Sequence, residues 1–273
     1  MSDELLVVVA HPDDEILWLC PAVARASTIL AAFPTHLGDP TLSSGRASVR
    51  AEYPLPGFEF LPLSESGAFR RSDWLRRAPV NYGVTLSEDC PVDTASRYVE
   101  NYSLLLELLD SYVRRHQNIY THNLWGEYGH EEHIQVSSAV VTLAHRHGCS
   151  VWAWDGRPEW RLMLGGMRLR RDYYQARLPT LPHTQMSIDV SLYRSIQQLY
   201  VSRGAWTAKP TYQPPSPSTY IQLVNEGSVL LTPGAAPKRL RYVSQAEYVV
   251  PQKALRALRG VRRRIRGGEI GSS

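Results

Sequence analysis

Uninterrupted apolar runs alternate along the chain with segments in which apolar residues recur every three or four positions. Leu5 to Val9 is a valine-rich apolar run, typical of a strand buried on both faces of a parallel sheet. Two further strands are predicted, at 117–120, where the chain follows a predicted helix, and at 151–154. The three- and four-residue spacing predicts helices, which we place at 16–30, 95–115, 131–147 and 189–203.

Strands that alternate with helices in this way predict an α/β fold. We expect a Rossmann-like, mostly parallel sheet flanked by helices, with its core at 5–155. A smaller C-terminal extension of short strands and a helix should follow at 156–252, with peripheral strands at 220–224 and 240–243. Because no internal repeat or linker marks a second domain, residues 1–273 are interpreted as one domain.

Residues 31–93 are rich in glycine, proline and serine, and short pieces such as 58–61 are predicted to be extended. Loops of this length inside a compact domain are usually functional. The region is dense in arginine, and we expect most of these side chains on a solvated surface, with a pocket wall for a polar substrate as the alternative. The arginines are Arg46, Arg50, Arg70, Arg71, Arg76 and Arg77.

Composition and charge narrow the classes of function. No apolar run approaches the roughly 20 residues of a membrane helix, so we expect no integral membrane segment. The net charge of +4 comes from the end of the chain, since 253–273 hold seven basic side chains and one acidic one. The part of the chain before residue 253 is slightly acidic, which argues against nucleic acid as a partner. The basic tail is expected to be a frayed, solvated helix. The acidic start, 1–4, differs from a basic secretory signal, so a cytoplasmic location is expected.

Two of the predicted strands lead into residues that bind metals or move protons. The first strand is followed by AHPDDE at 10–15. The strand at 117–120 is followed by Thr121, His122 and Asn123, and then by GHEEH at 129–133. Ligands in open α/β sheets gather at the carboxyl ends of strands, so both clusters should lie at the same edge of the sheet.

The clusters have the composition of a metal site. His11, a carboxylate, and one or both of His130 and His133 would form the two-histidine, one-carboxylate set of catalytic zinc. Nitrogen and oxygen ligands without a thiolate also suit other divalent metals, including ferrous iron. The three cysteines, Cys20, Cys90 and Cys149, are widely spaced and indicate neither a disulfide framework nor a thiolate site.

Each cluster also has a simpler explanation. Asp13 or Asp14 could cap a helix, although capping accounts for one carboxylate and leaves the histidine and the other acids unexplained. His130 and His133 could lie at a solvated helix start. That both clusters follow a predicted buried strand favours a site. The remaining histidines are interpreted as surface or structural residues: His36, His116, His145, His147 and His183.

The hexapeptide at 10–15, followed about 115 residues later by GHEEH at 129–133, resembles the LmbE-like (PIG-L) family of zinc-dependent N-acetylglucosaminyl deacetylases. The second motif of that family is usually GHPDH, so Glu131 and Glu132 depart from it while both histidines are retained. The resemblance covers residues 5–150 and implies a Rossmann-like fold, in agreement with the strand and helix pattern.

The resemblance implies roles for individual residues. The metal ligands would be His11, Asp14 and His133, with zinc as the metal. Asp13 would be the general base, and His130 would be the general acid or would stabilise the oxyanion. Tyr128 resembles a tyrosine that polarises the substrate carbonyl in some members, and Glu15 would at most orient its neighbours.

The implied reaction is hydrolysis of the N-acetyl group of an N-acetylglucosamine-type sugar or glycoconjugate, giving acetate and a free amine. An alternative is an amidase that cleaves a larger thiol or acyl-sugar conjugate with the same site. A different class, a nucleotide-sugar binding protein or glycosyltransferase, is disfavoured because no GxGxxG or P-loop follows any predicted strand. An inactive interaction module is disfavoured by the intact ligand residues.

Overall fold

A sheet of eight strands organises the described part of the chain. The computed structural model of the protein describes residues 4–72, 82–155 and 180–230. In these ranges the strands are β1 (Leu5–Val9), β2 (Ala26–Ala31), β3 (Phe58–Phe60), β4 (Asn118–Thr121), β5 (Ser150–Trp154), β6 (His183–Met186), β7 (Ser218–Asn225) and β8 (Ser228–Val229). The helices are α1 (Asp14–Trp18), α2 (Cys20–Val23), α3 (Pro40–Glu52), α4 (Val92–Arg115), α5 (Glu131–His147) and α6 (Val190–Ser202).

The strand order is β3-β2-β1-β4-β5-β7-β6, and β8 pairs with β7. The first five strands in this order pair in parallel, whereas β7 is antiparallel to both β5 and β6. This confirms the predicted mostly parallel α/β sheet. From β1 the chain proceeds to β2 and β3 on one side, and then returns to β4 and β5 on the other. The order therefore reverses between β1 and β4, and the carboxyl ends of strands at such a reversal form a natural ligand crevice.

β1 is buried on both faces, as its continuous apolar sequence predicts. Leu6 and Val8 pack in one apolar cluster, and Val7 and Val9 pack in a second. All four side chains are completely covered. Parallel pairing with β2 and β4 holds both edges of the strand, so the loop after Val9 starts from a rigid position.

The helix predicted at 16–30 is wrong beyond Val23. The chain forms two short helices, α1 and α2, with Pro21 in the first turn of α2, and then enters β2. Residues 26–31 pair in parallel with β1, and the side chains of Ile29, Leu30 and Ala31 are buried. Sheet pairing and burial outweigh the apolar spacing, which is compatible with a helix when considered alone.

Among its described residues, the long region at 31–93 contains two complete regular elements between β2 and α4. The extended piece predicted at 58–61 is confirmed by β3, which pairs with β2. The helix α3 was not predicted, because its only buried positions are Gly45, Arg46 and Val49, so it has no apolar stripe. Its start is instead marked by Asp39, whose side chain accepts a hydrogen bond from the backbone N–H of Leu42 at 2.9 Å.

The other predicted elements within the described residues are confirmed. The helices α4, α5 and α6 lie where the apolar spacing places them, and α5 is buried along most of its length. The strand predicted at 220–224 is part of β7, which is longer than expected and is hydrogen bonded to β5 within the sheet, so this strand is not peripheral. The strand predicted at 240–243 and the basic tail lie outside the described residues. In the described ranges, no helix combines the length and apolar character needed to cross a membrane.

Candidate metal and catalytic site

The loops after β1 and β4 meet at the carboxyl edge of the sheet. The ring of His11 lies 4.7 Å from that of His130 and 5.3 Å from that of His133, measured between centroids. Tyr128 lies 5.6 Å from His133. Together with Asp13 and Asp14 of the first loop, these side chains form one cluster that includes all six predicted site residues. The histidines are buried, so the interpretation of His130 and His133 as a solvated helix start is wrong.

Asp14 lies at the centre of the cluster. Its Oδ2 accepts a hydrogen bond from the backbone N–H of His11 at 2.8 Å and lies 3.1 Å from His11 Nδ1 and 3.2 Å from His133 Nε2. Although burial disfavours the charged form, His133, His11 and His122 hold the pKa of Asp14 well below its usual range. Asp14 is therefore an ionised carboxylate that faces ring nitrogens.

The ring nitrogens of His133 give the strongest indication of a cation site. Its Nδ1 is 2.7 Å from Glu127 Oε2, whereas its Nε2 is buried and has no hydrogen-bond partner in the described structure. This unpartnered nitrogen faces Asp14 Oδ2. A buried ring nitrogen without a partner beside an ionised carboxylate is the arrangement that a bound metal ion would satisfy.

His11 is held in a matching way. Its Nε2 is 2.8 Å from Glu132 Oε2, which leaves Nδ1 directed at Asp14. Histidines that bind metals usually donate their other ring N–H to a carboxylate, which fixes the tautomer and the ring orientation. Glu132 does this for His11 and Glu127 does it for His133. The donor set of two nitrogens and one carboxylate therefore fits a divalent metal.

His122 and Glu127 belong to the site but are not among the predicted site residues. His122 Nε2 accepts a hydrogen bond from the backbone N–H of Ala10 at 2.8 Å, and its Nδ1 is 3.1 Å from Glu127 Oε2. The ring stacks on His133 with centroids 3.9 Å apart. Because its Nε2 lone pair accepts from Ala10, which directly follows β1, His122 supports the site and is not assigned as a metal ligand. The available signal was that His122 follows β4 as His11 follows β1.

Glu127 follows Gly126 in a tight turn, and both residues have a positive φ. Asn123 Oδ1 accepts from the backbone N–H of Glu127 at 2.9 Å, and Glu127 itself has a φ of 53°. Although burial disfavours its charge, His122 and His133 lower the pKa of Glu127 to about 2. Gly126 has a φ of 66°, and a Cβ on it would lie 2.6 Å from the His130 carbonyl oxygen.

We expect Gly126→Ala to destabilise the protein by about 2–4 kcal/mol, because left-handed strain and a backbone collision add together. Gly148→Ala is the matched control. Gly148 has a similar φ of 76°, but a Cβ there meets nothing within 4 Å, so its cost should be only about 1 kcal/mol. Urea denaturation measures both free energies of unfolding. Equal losses in the two variants would contradict the close approach at Gly126.

We expect Glu127→Gln to weaken metal affinity by about 10–100-fold, because both histidines beside it lose a charged acceptor. Competition with a chromophoric chelator measures the dissociation constant. Glu107→Gln, which changes an exposed residue of α4, is the control and should bind metal as the wild type does. An affinity for Glu127→Gln equal to that of the wild type would mean that Glu127 does not support a ligand.

Asp13 occupies the N-cap position of α1 with a φ of 97°. Its side chain makes no capping hydrogen bond, so helix capping does not account for this carboxylate. Burial and the neighbouring charge of Asp14 raise the pKa of Asp13 well above its usual range. Glu15 Oε2 accepts from the backbone N–H of Asp13 at 2.9 Å, while Tyr53 and Tyr200 donate to Glu15 Oε1. Glu15 therefore orients the Asp13 backbone.

His130 is stacked between two rings. Its ring is 4.5 Å from that of His133 and 4.6 Å from that of Phe69, and it is nearly parallel to both. Its Nδ1 accepts from the backbone N–H of Glu132 at 3.3 Å, so the ring proton is on Nε2. Burial and the nearby histidines hold the pKa of His130 well below its usual range. His130 is thus a neutral donor through Nε2.

The two glutamates that depart from the family pattern attach the preceding long loop to the site. The Glu131 carboxylate accepts hydrogen bonds from the backbone N–H groups of 70–72, at 2.9–3.1 Å. Glu132 Oε1 accepts from both the N–H and the hydroxyl of Ser66. These bonds hold Phe69 against His130, so part of the glycine-rich region borders the site.

One arginine of this region, Arg46, is buried, whereas a solvated surface is expected for most of these arginines. Arg46 Nη1 lies 2.7 Å from Glu65 Oε1 and forms an ion pair with it. A carboxylate oxygen of Glu65 also lies within 4.8 Å of a ring nitrogen of His11 and of a carboxylate oxygen of Glu132. Arg50, Arg70 and Arg71 are exposed, as expected. Arg76 and Arg77 lie outside the described residues.

No protein-family model and no curated protein sequence matches the chain. Among solved structures, a deacetylase in complex with teicoplanin, from the biosynthesis pathway of teicoplanin, is 12% identical with a TM-score of 0.49, and the match covers 80% of this chain and 97% of that one. A zinc-inhibited form of teicoplanin deacetylase is 11% identical with a TM-score of 0.46, over 80% and 97% of the two chains.

Proposed function

We propose that the protein is a metal-dependent N-deacetylase that hydrolyses the N-acetyl group of an N-acetylglucosamine-type sugar or glycoconjugate. The observation that carries this proposal is the unpartnered Nε2 of His133 beside the ionised Asp14. Asp13 lies next to Asp14 and provides a second buried carboxylate for proton transfer. The sequence resemblance to LmbE-like deacetylases supports the same reaction.

His11, Asp14 and His133 are the residues that would hold the metal, through Nδ1, Oδ2 and Nε2. Zinc suits two imidazoles and a carboxylate, and ferrous iron suits the same donors. When bound, a divalent metal lowers the pKa of water and polarises a carbonyl group. Glu132 and Glu127 keep the two histidine rings in orientation.

Asp13 is the proposed general base. Its raised pKa makes it a better proton acceptor than an exposed aspartate, which suits proton removal from the attacking water. The water oxygen forms a bond to the acetamide carbon, and the C–N bond then breaks. The proton taken up by Asp13 passes to the leaving amine, so the reaction yields acetate and a free amine.

His130 and Tyr128 are the proposed oxyanion stabilisers. His130 carries its proton on Nε2, and burial keeps the pKa of Tyr128 well above its usual range, so both side chains remain hydrogen-bond donors. Donors placed where negative charge develops lower the barrier of acyl transfer. Because its lowered pKa keeps His130 neutral, its Nε2–H suits oxyanion stabilisation better than general acid catalysis.

A carbohydrate substrate is supported by the aromatic rings around the cluster. The ring of Tyr128 contacts those of Trp18 and Phe69, with a centroid distance of 6.2 Å to each. Phe69 is 42% exposed, so its ring is available to a ligand. Partly exposed rings with a few polar groups are typical of pockets that bind small molecules, and they suit the apolar face of a sugar ring.

The test is acetate release from N-acetylglucosamine and its conjugates by the zinc-loaded protein. We expect release that stops when a chelator removes the metal and returns when zinc or ferrous iron is restored. A series of conjugates with larger acyl groups separates a deacetylase from a broader amidase, because only the amidase should cleave the longer chains. Absence of acetate release from every N-acetyl conjugate by the metal-loaded protein would refute the proposal.

A further inference from the structure

After α6 the chain returns to the site, where Thr207 forms hydrogen bonds with the carboxylate of Asp13. The backbone N–H of Thr207 donates to Asp13 Oδ2 at 2.8 Å, and its hydroxyl donates to the same oxygen at 2.7 Å. The two residues are 194 positions apart in sequence. No motif or periodicity singles out Thr207.

We propose that Thr207 is a positioning residue for the proton transfer carried out by Asp13. Both donors of Thr207 engage Oδ2, whereas Oδ1 forms no hydrogen bond within the described residues. Thr207 thus fixes the plane of the carboxylate and leaves Oδ1 to accept the proton. This inference rests on the proposed function, because the orientation of Asp13 matters only if Asp13 is the base.

Asp13 is held from two sides. Glu15 accepts from its backbone N–H at 2.9 Å, and Thr207 donates to its side chain. The Glu15 contact holds the backbone in its left-handed conformation, but it leaves rotation about the side-chain bonds free. Among the residues that the structure describes, Thr207 alone restrains the carboxylate itself. Its two bonds are charge-assisted when Asp13 is ionised, and such bonds are shorter and stronger than neutral ones.

Thr207 contributes little to the packed core. The residue is exposed although it contacts a carboxylate that is only 1% exposed. Removal of its hydroxyl should therefore change the rate more than the stability. Small misplacement of a reacting group is costly, since about 1 Å can reduce a rate by about 100-fold.

The experiment compares Thr207→Val, Thr207→Ser and Thr41→Val in the zinc-loaded protein. Valine matches threonine in shape but lacks the hydroxyl, and Thr41 is an exposed threonine of α3. We expect kcat for acetate release to fall by about tenfold in Thr207→Val, as loss of a hydrogen bond to a charged group predicts, with KM and zinc content unchanged. Thr207→Ser, which keeps the hydroxyl, and Thr41→Val should both have the wild-type kcat.

The outcomes separate the inference from the proposed function. If the wild-type protein releases no acetate, the proposed function fails. If the wild type is active and Asp13→Asn is not, but Thr207→Val has the wild-type kcat, the inference about Thr207 is overturned. It is also overturned if Thr207→Val loses zinc, if its melting temperature falls so that kcat drops through unfolding, or if Thr207→Ser loses as much activity as Thr207→Val.

Discussion

The Asp13→Asn variant is expected to release acetate about 10²–10⁴ times more slowly than the wild-type protein, which is the usual contribution of a general base. Asparagine has nearly the same shape as aspartate but cannot take up a proton at neutral pH. Asp13 Oδ2 is bonded to Thr207 and not to a ring nitrogen, so zinc content should be unchanged. Steady-state acetate release and metal analysis of the same sample measure the two quantities.

Asp39→Asn is the matched control for this substitution. Asp39 is exposed and caps α3, and asparagine caps a helix as well as aspartate does, so both activity and stability should be retained. A rate for Asp13→Asn within about threefold of the wild type would remove Asp13 from the role of base, because general acid–base catalysis contributes at least about 100-fold.

The His133→Ala variant is expected to lose both bound metal and activity. His133 Nε2 is the unpartnered nitrogen of the site, and its removal also leaves Glu127 without one of its two histidine partners. Loss of an outer partner alone weakens metal affinity by about 10–100-fold, so loss of a proposed ligand should weaken it by more than about 100-fold. Plasma mass spectrometry after gel filtration gives the metal content per chain.

His145→Ala is the control on the same helix. His145 is exposed near the end of α5, where its Nδ1 contacts the carbonyl oxygen of Gly227. Its replacement should leave one metal per active chain and undiminished acetate release. If His133→Ala kept the same metal content and activity as this control, His133 would not be a ligand.

Local patterns were sufficient for most of the fold. The burial of β1 and the positions of α4, α5 and α6 follow from apolar continuity or spacing, which are properties of residues close in sequence. The same local view failed where tertiary contacts outweigh it. β2 has apolar spacing compatible with a helix and becomes a strand because it pairs with β1. α3 has a cap but no apolar stripe, and its buried arginine pairs with a residue of the long loop.

The sequence by itself determined which residue types the candidate site contains. The motifs at 10–15 and 129–133 contain all three proposed metal ligands and the proposed base, and the strand before each motif places both at one edge of a parallel sheet. This was predictable because the first motif directly follows β1, and the second lies in the loop and helix that follow β4. The carboxyl ends of parallel strands always meet at the same edge.

Only the tertiary structure decided how each of these side chains is held. Glu132 orients His11 across 121 positions, Thr207 restrains Asp13 across 194, and Tyr200 reaches Glu15 across 185. Such contacts depend on how whole helices, strands and loops pack against one another, so no local periodicity or motif predicts them. The sequence therefore predicts which residue types could bind a metal. The histidine tautomers and carboxylate orientations that would make these residues reactive arise only when the chain folds.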